Sequence, residues 1–223
     1  AAAAIAILLI GFFFFVQQPQ KVHTAYGQQL QHILPDGSLV YLNADSRITY
    51  HEGNWPKDRA LELSGEAFFE VAKGSAFVVQ TDFGTVRVLG TSFNVRARHV
   101  LDVSCFTGLV EVLPINHEPV KLEPGHRVYQ EERSDALIRE TFIPDDLRYW
   151  RRGELTFSAT RLEEVFEELE RSFDIRIGLP ASANIRRFTG SVKLNDVEAA
   201  LEDVCLPMQL RFEKQENGYR ILD

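Results

Sequence analysis

Alternating apolar and polar side chains dominate the chain from Thr24 to about Tyr129. This period of two residues is the pattern of half-buried β-strands. Turn segments such as Pro35-Asp36-Gly37-Ser38 and Pro124-Gly125 separate the alternating runs at the spacing typical of all-β folds. We therefore predict sequential antiparallel strands that form a jelly-roll-like β-sandwich over residues 22–130.

A helical period replaces this alternation after Asp135. Thr160 and Glu163 form a capping-box pattern ahead of an amphipathic stripe. The whole pattern repeats after a shift of 35 residues, which takes Thr160 to Asn195, Leu162 to Val197, Val165 to Ala200, Phe166 to Leu201, Leu169 to Val204, Ile175 to Leu210 and Ile177 to Phe212. We predict a small α/β domain of two βαβ units over residues 154–223, after a linker at 131–153.

An uninterrupted apolar run occupies residues 1–16 and ends in four consecutive phenylalanines. The sequence becomes polar at Gln17, as at the exit of a membrane helix. We expect residues 1–21 to be a transmembrane segment whose first part precedes this sequence, because sixteen helical residues span only about 24 Å of a roughly 30 Å hydrocarbon core. The alternative is a secretory signal peptide, but the run has neither a basic leader nor a small-residue cleavage site.

Charge and motif content argue against several functions. The formal net charge is −8 and no basic stripe is present, so nucleic acid is not an expected partner. The sequence contains no glycine-rich phosphate loop and no G-x-S-x-G nucleophile motif. The acidic stretch from Glu163 to Glu170 is interpreted as a solvated helix face. No histidine pair has metal-ligand spacing, so we predict no metal site and no cofactor; the histidines are His23, His32, His51, His99, His117 and His126.

Five sequence segments resemble, in order and spacing, the motifs of the FecR domain. They are residues 34–43 (LPDGSLVYLN), 63–71 (LSGEAFFEV), 88–95 (VLGTSFNV), 108–112 (GLVEV) and 122–125 (LEPG). The repeated α/β segment resembles the small domain that follows in many FecR-type regulators, which is similar to the short N-terminal domain of secretins and TonB-dependent receptors. Together the resemblance covers nearly everything after Lys21.

This resemblance implies an anti-sigma factor with a single pass through the inner membrane and its C-terminal domains in the periplasm. A cytoplasmic segment, which is not contained in this sequence, would bind a sigma factor of the extracytoplasmic-function type. The periplasmic part would contact the signalling domain of an outer-membrane TonB-dependent receptor, through residues 154–222 and an exposed edge strand. Proteolysis near the membrane would then free the sigma-binding segment.

The resemblance also implies one candidate reaction. Some family members cut themselves once at the Gly-Thr bond of the L-G-T motif, which corresponds to Gly90 and Thr91 here. The Thr91 hydroxyl would attack the Gly90 carbonyl and leave an ester that water hydrolyses. The alternative is that Gly90 is only a bend between two strands and Thr91 an ordinary strand residue. Beyond this single turnover we do not expect an enzyme.

Two other classes of function fit a β-sandwich. A surface carbohydrate-binding or adhesion module could use Trp55 and Tyr41 to stack on sugars. A jelly-roll metalloenzyme could bring distant histidines together. Measurable glycan binding would support the carbohydrate-binding module, and stoichiometric metal in the purified protein would support the metalloenzyme.

Overall fold

The computed structural model of the protein describes residues 18–55, 57–131, 136–142 and 150–223. The predicted membrane segment lies outside these residues except for 18–21, as do 132–135 and 143–149 of the predicted linker. None of the helices in the described ranges is long and apolar enough to cross a membrane. The chain divides into two compact units: Ala1–Thr24 with Gln29–Pro144, and Ala25–Gln28 with Asp145–Asp223.

The described residues of the first unit are mainly β-strand, as predicted. The strands are β1 Gln20–Thr24, β2 Leu30–Ile33, β3 Leu39–Leu42, β4 Ser46–Tyr50, β5 Arg59–Glu70, β6 Phe77–Thr81, β7 Gly84–Val88, β8 Ser92–Ala97, β9 Leu101–Cys105, β10 Val110–Pro114, β11 Val120–Leu122, β12 His126–Gln130 and β13 Leu137–Thr141. A short 3-10 helix, Glu52–Asn54, lies between β4 and β5. Strand β13, which pairs with β12, lies within the segment predicted as linker.

These strands form one continuous, curled sheet, whereas we predicted a jelly-roll-like sandwich. Its main order is β11-β10-β7-β6-β5-β8-β9-β12-β13, with β4 and β3 also paired to β5. The prediction of antiparallel strands throughout was wrong at one position, because β5 and β6 are parallel. Local alternation specifies which residues are strands but not which strands pair.

Strand β5 joins the two halves of this sheet. Its first part pairs with β4 and β6, and its second part with β3 and β8. The change falls at Gly65, whose φ of +97° favours glycine. A Cβ atom at Gly65 would lie 2.5 Å from Ser46 Oγ and 2.7 Å from the Asp45 carbonyl oxygen, so the site also has no room for a side chain.

A single hydrophobic core fills the first unit and takes side chains from both halves of the sheet. Val79 and Val86 come from one half, and Val40 and Phe93 from the other; all four are fully buried. Phe69 of β5 stacks on Phe93 with 4.9 Å between ring centroids. The alternation predicted from the sequence therefore directs one face of each strand into this core.

The second unit contains the repeated pattern of strand, helix and strand. Its elements are β14 Glu154–Arg161, α1 Leu162–Phe173, β15 Arg176–Gly178, β16 Arg187–Lys193, α2 Val197–Cys205, β17 Arg211–Gln215 and β18 Gly218–Leu222, with short 3-10 helices at Trp150–Arg152 and Ala181–Ile185. The two strands of each repeat lie in different sheets: β14 pairs with β16, and β15 and β17 both pair with β18. Each repeat thus pairs with the other instead of closing its own βαβ sheet, and together they bury both helices.

The two helices begin 35 residues apart, at Leu162 and Val197, as the repeat predicts. The matched stripe positions that are buried in both helices are Val165 with Ala200, Phe166 with Leu201, and Leu169 with Val204. Both predicted capping residues were wrong. Thr160 lies in β14, which continues to Arg161, and the second helix is capped by Asp196, whose Oδ1 accepts a hydrogen bond from Ala199 N at 2.9 Å.

Candidate functional site

The candidate cleavage bond, Gly90–Thr91, lies in the connection between β7 and β8. The chain passes there from one half of the sheet to the other, since β7 pairs with β6 and β10, and β8 with β5 and β9. Two backbone hydrogen bonds fix the connection: Gly74 N donates to Leu89 O and Val71 N donates to Thr91 O, each at 3.0 Å. Residues 71–74 therefore bind the backbone on both sides of this peptide bond.

Two close backbone approaches surround this peptide bond. A Cβ atom at Gly90 would lie 2.9 Å from Lys73 Cα, so the position has no space for a side chain. On the other side, a Cβ atom at Gly108 would lie 2.9 Å from Thr91 Oγ1 and 3.0 Å from the Gly90 carbonyl oxygen. Gly108 also has a φ of +73°. The L-G-T motif and the G-L-V motif thus pack against each other through their glycines.

The Thr91 side chain is buried, and its hydroxyl donates a hydrogen bond to the Leu109 carbonyl oxygen at 3.3 Å. Among the residues that the structure describes, neither a carboxylate nor an imidazole bonds to this hydroxyl. The nearby thiol of Cys105 donates to Thr107 O and Gly108 O. Burial raises the pKa of the Cys105 thiol to about 11, so it stays protonated at neutral pH. The Thr91 hydroxyl thus lies next to the Gly90 carbonyl, and within the described ranges no carboxylate or imidazole is bonded to it that could act as a base.

Asp36 of the L-P-D-G-S segment forms an ion pair with Arg59, in which Arg59 is buried and Asp36 is partly buried. Arg59 is only 7% exposed, and its Nε and Nη2 both donate to Asp36 Oδ2, with an Nε to Oδ2 distance of 2.7 Å. The same guanidinium donates to Ser75 O at 2.7 Å and Ala72 O at 2.8 Å. Ser38 Oγ donates to Asp36 at 2.8 Å and accepts from Ala72 N at 3.0 Å. The motif therefore ties the β2–β3 turn to β5 and the loop after it.

The same contacts set the charge of Asp36. Burial alone would raise the pKa of this carboxyl group. The hydrogen bonds from Ser38 and Arg59, together with the positive charge of Arg59, outweigh that effect and lower the pKa below its ordinary value. Asp36 is thus ionised wherever the first unit is folded at neutral pH.

A second polar cluster brings three motif segments together in the first unit. The buried carboxylate of Glu66 accepts hydrogen bonds from Asn43 Nδ2 and Asn94 Nδ2, both at 2.9 Å. Ser46 Oγ accepts from Glu66 N at 2.9 Å, and Thr24 Oγ1 donates to Asn43 O at 2.6 Å. Asn43, Glu66 and Asn94 each come from a different quoted motif, and their convergence was not predicted. The signal available in the sequence was a charged residue, Glu66, directly before the apolar run Ala67-Phe68-Phe69.

The acidic stretch of α1 departs from the predicted solvated face. Glu168 is buried and pairs with Arg171, whose Nη2 donates to Glu168 Oε1 at 3.1 Å. Glu170 Oε1 accepts from Ile177 N at 2.6 Å and so joins the helix to β15. These two carboxylates therefore help to hold the second unit together.

The aromatic residues named for sugar stacking do not form an exposed platform. Trp55 is 2% exposed and packs edge-on against Tyr50 and Phe77, with centroid distances of 5.3 and 5.8 Å. Tyr41 is half-buried and contacts the ring of Phe68. Trp55 is therefore part of the core. Within the described ranges, no three His, Cys, Asp or Glu side chains are grouped so that they could hold a metal ion.

Two family models match the chain, one in each unit. The model described as FecR protein matches residues 20–111, and the model described as FecR, C-terminal, matches residues 154–221. Together they cover more than two-thirds of the sequence, in the order that the motifs predicted. The chain belongs to the FecR family. Among curated proteins, no sequence matches it significantly.

Solved structures support the same assignment. Two crystal structures of a candidate anti-sigma factor from Parabacteroides distasonis ATCC 8503, at 2.50 and 1.65 Å resolution, are similar to this FecR-family chain. They have TM-scores of 0.87 and 0.85 and sequence identities of 27% and 28%. Each match covers 92% of this chain and 99% of the other. The similarity thus extends over both units.

Proposed function

We propose that this chain is the extracytoplasmic part of a FecR-type anti-sigma factor. The observation that carries the proposal is the presence of both FecR family models in one chain, in the same order as their units. The similarity to nearly the whole of a candidate anti-sigma factor chain supports it. In this proposal the whole protein regulates a sigma factor by binding it and catalyses no metabolic reaction.

The finer proposal is a relay across the cell envelope. In it, residues 1–21 belong to a single pass through the inner membrane, and both units lie in the periplasm. The signalling domain of an outer-membrane TonB-dependent receptor binds the second unit. A cytoplasmic segment outside this sequence holds an extracytoplasmic-function sigma factor, and proteolysis near the membrane releases it. This arrangement is supported by the apolar sequence of residues 1–16 and by the strand edges of the second unit that have no neighbouring strand among the described residues.

A single self-cleavage at Gly90–Thr91 is a further element of the proposal. Thr91 Oγ attacks the Gly90 carbonyl carbon and forms an ester bond with it. The peptide C–N bond breaks, and the hydroxyl proton passes to the Thr91 nitrogen, which becomes a free amine. Water then hydrolyses the ester, which leaves a carboxylate on Gly90 and restores the Thr91 hydroxyl. The packing of Gly90 against Lys73 and of Gly108 against Thr91 supports a restrained bond at this position.

A binding experiment tests the relay. The full chain is titrated with the purified signalling domain of a TonB-dependent receptor from the same organism, chosen from a neighbouring gene where one is present. We expect a saturable complex that protects amides of residues 154–222 from hydrogen exchange. The relay is wrong if the two proteins do not associate at physiological salt. A glycan array run on the same preparation tests the carbohydrate-binding alternative, which requires selective glycan retention.

A further inference from the structure

The second unit has several strand edges with no neighbouring strand among the described residues. Strands β14 and β16 pair only with each other there, and β15 and β17 both lie at the edges of their three-stranded sheet. An unpaired edge presents free backbone donors and acceptors to which another chain can add a strand. The edges of β14, β15, β16 and β17 differ in how well they could pair with an added strand.

The direction of the backbone groups on β16 follows from three hydrogen bonds. Leu194 N donates to Gly153 O and Arg186 O accepts from Leu162 N, so even-numbered positions face β14. Lys193 N instead donates to Asp203 Oδ2 at 3.4 Å, away from β14. Because the direction alternates along a strand, the backbone groups of Arg187, Thr189 and Ser191 face the open edge. They have no backbone partner among the described residues.

The edge of β16 is also continuous. The irregularity in its pairing lies on β14, between Phe157 and Thr160, where Ala159 has a φ of +49°. Ala159 N donates to Thr189 Oγ1 and Ala159 O accepts from the guanidinium of Arg187. Strand β14 is therefore bent near Ala159, and the backbone groups of Ala159 are already bonded to side chains of β16. A bulge of this kind disfavours the addition of another strand.

The remaining two edges are less suitable. Strand β15 is three residues long, too short for a specific ladder. Strand β17 has five residues, and its lysine, Lys214, already pairs with Glu198 at 3.1 Å. Strand β16 has seven residues and the small residues Thr189, Gly190 and Ser191 at its centre, which leave the backbone accessible.

Charge indicates what kind of segment fits this edge. Arg187 and Lys193 are exposed at the two ends of β16. Neither side chain forms an ion pair among the described residues, but the Arg187 guanidinium donates to Ala159 O of β14, and the Asp203 carboxylate accepts from the backbone N–H of Lys193. The chain as a whole carries a net charge of −8, so this basic edge is locally unusual. Opposite charges across an added strand favour its binding and fix its register.

We propose that the free edge of β16 receives an extended, acidic strand of a partner protein, adding a third strand to the β14–β16 sheet. This inference rests on the proposed relay, in which the partner is the receptor signalling domain. Backbone hydrogen bonds to Thr189 and Ser191 supply the pairing, and Arg187 and Lys193 select the acidic segment.

Matched proline variants test the edge. Ser191 and Thr156 lie directly opposite each other on β16 and β14, and their N–H groups face opposite free edges. Proline at either position leaves the β14–β16 ladder intact and removes one outward donor. We expect Ser191→Pro to weaken binding of the full chain to the receptor signalling domain at least about tenfold, and Thr156→Pro to leave it within about twofold.

Circular dichroism confirms that both variants are folded, and hydrogen exchange of the wild-type complex gives an independent measurement. Binding should protect the amides of Thr189 and Ser191 but not that of Thr156. Equal effects of the two prolines, or protection of Thr156 alone, would overturn the assignment to β16. If the wild-type chain binds no signalling domain, the relay itself fails; if it binds and Ser191→Pro binds equally well, only the edge assignment fails.

Discussion

The pairing of Asp36 with Arg59 predicts a large loss of stability when Asp36 is replaced by alanine. Arg59 is 7% exposed and would keep only its hydrogen bonds to Ser75 O and Ala72 O and a longer one to Ser38 Oγ. Removing one partner of a buried ion pair costs about 3–5 kcal/mol, because the other charge stays buried. Since carbonyl acceptors remain, we expect Asp36→Ala to lower the free energy of unfolding by about 3 kcal/mol.

Urea denaturation of the first unit measures this loss. The chain has two tryptophans, Trp55 in the first unit and Trp150 in the second, so a Trp150→Phe background confines the fluorescence signal to the first unit. The control is Glu111→Ala, which breaks a 3.2 Å pair with Arg87 whose side chains are 48% and 30% exposed. An exposed pair contributes at most about 1 kcal/mol.

A third variant separates charge from packing. In the Asp36→Ala background, Arg59→Met removes the uncompensated guanidinium and should recover part of the lost stability. A loss of less than about 1 kcal/mol for Asp36→Ala, or a loss no larger than that of Glu111→Ala, would show that the Asp36–Arg59 pair does not contribute this stability.

Three more predictions follow from the first unit. Folding lowers the pKa of Asp36, so its ionised form stabilises the folded state. This contribution is complete above the unfolded pKa of about 4 and is lost as the pH falls through the folded pKa. The urea midpoints of wild type and Asp36→Asn should therefore converge in acid. Gly65→Ala should lower the free energy of unfolding by more than about 2 kcal/mol, and by clearly more than Gly37→Ala. Both glycines have positive φ, but only at Gly65 would a Cβ atom meet neighbouring atoms. Equal losses in urea titrations would contradict this. If the Gly90–Thr91 bond is cut, a denaturing gel of protein from the complete gene should show two fragments that Thr91→Ala abolishes, whereas one intact wild-type band would refute self-cleavage.

The local pattern of hydrophobic residues predicted the strands and helices of this protein better than it predicted which strands pair. The alternation at Val86 and Val88 and the stripe at Val165, Phe166 and Leu169 depend on residues close in sequence, and all of these side chains are buried. The parallel pairing of β5 with β6, and the exchange of strands between the two repeats, depend on contacts far apart in sequence. Hydrophobic periodicity carries no information about such pairing.

The polar residues of the motifs show a similar limit. The FecR resemblance located the Asp36 and Glu66 segments, but it did not reveal that Arg59 neutralises the first, nor that Asn43 and Asn94 meet at the second. Arg59 lies outside every quoted motif, so only the folded chain identifies it as the partner. The predicted helix cap at Thr160 failed for a related reason, because strand pairing with Phe188 overrides the local capping pattern.

We propose that this chain makes a sigma factor respond to a signal from outside the cell. Transcription from a promoter of the sigma factor that this protein is proposed to regulate tests this directly, measured with and without the inducing nutrient in wild-type cells and in cells lacking this gene. We expect deletion to abolish the difference between the two conditions, whether transcription becomes constantly high or constantly low. An unchanged response to the nutrient in the deletion strain would contradict it.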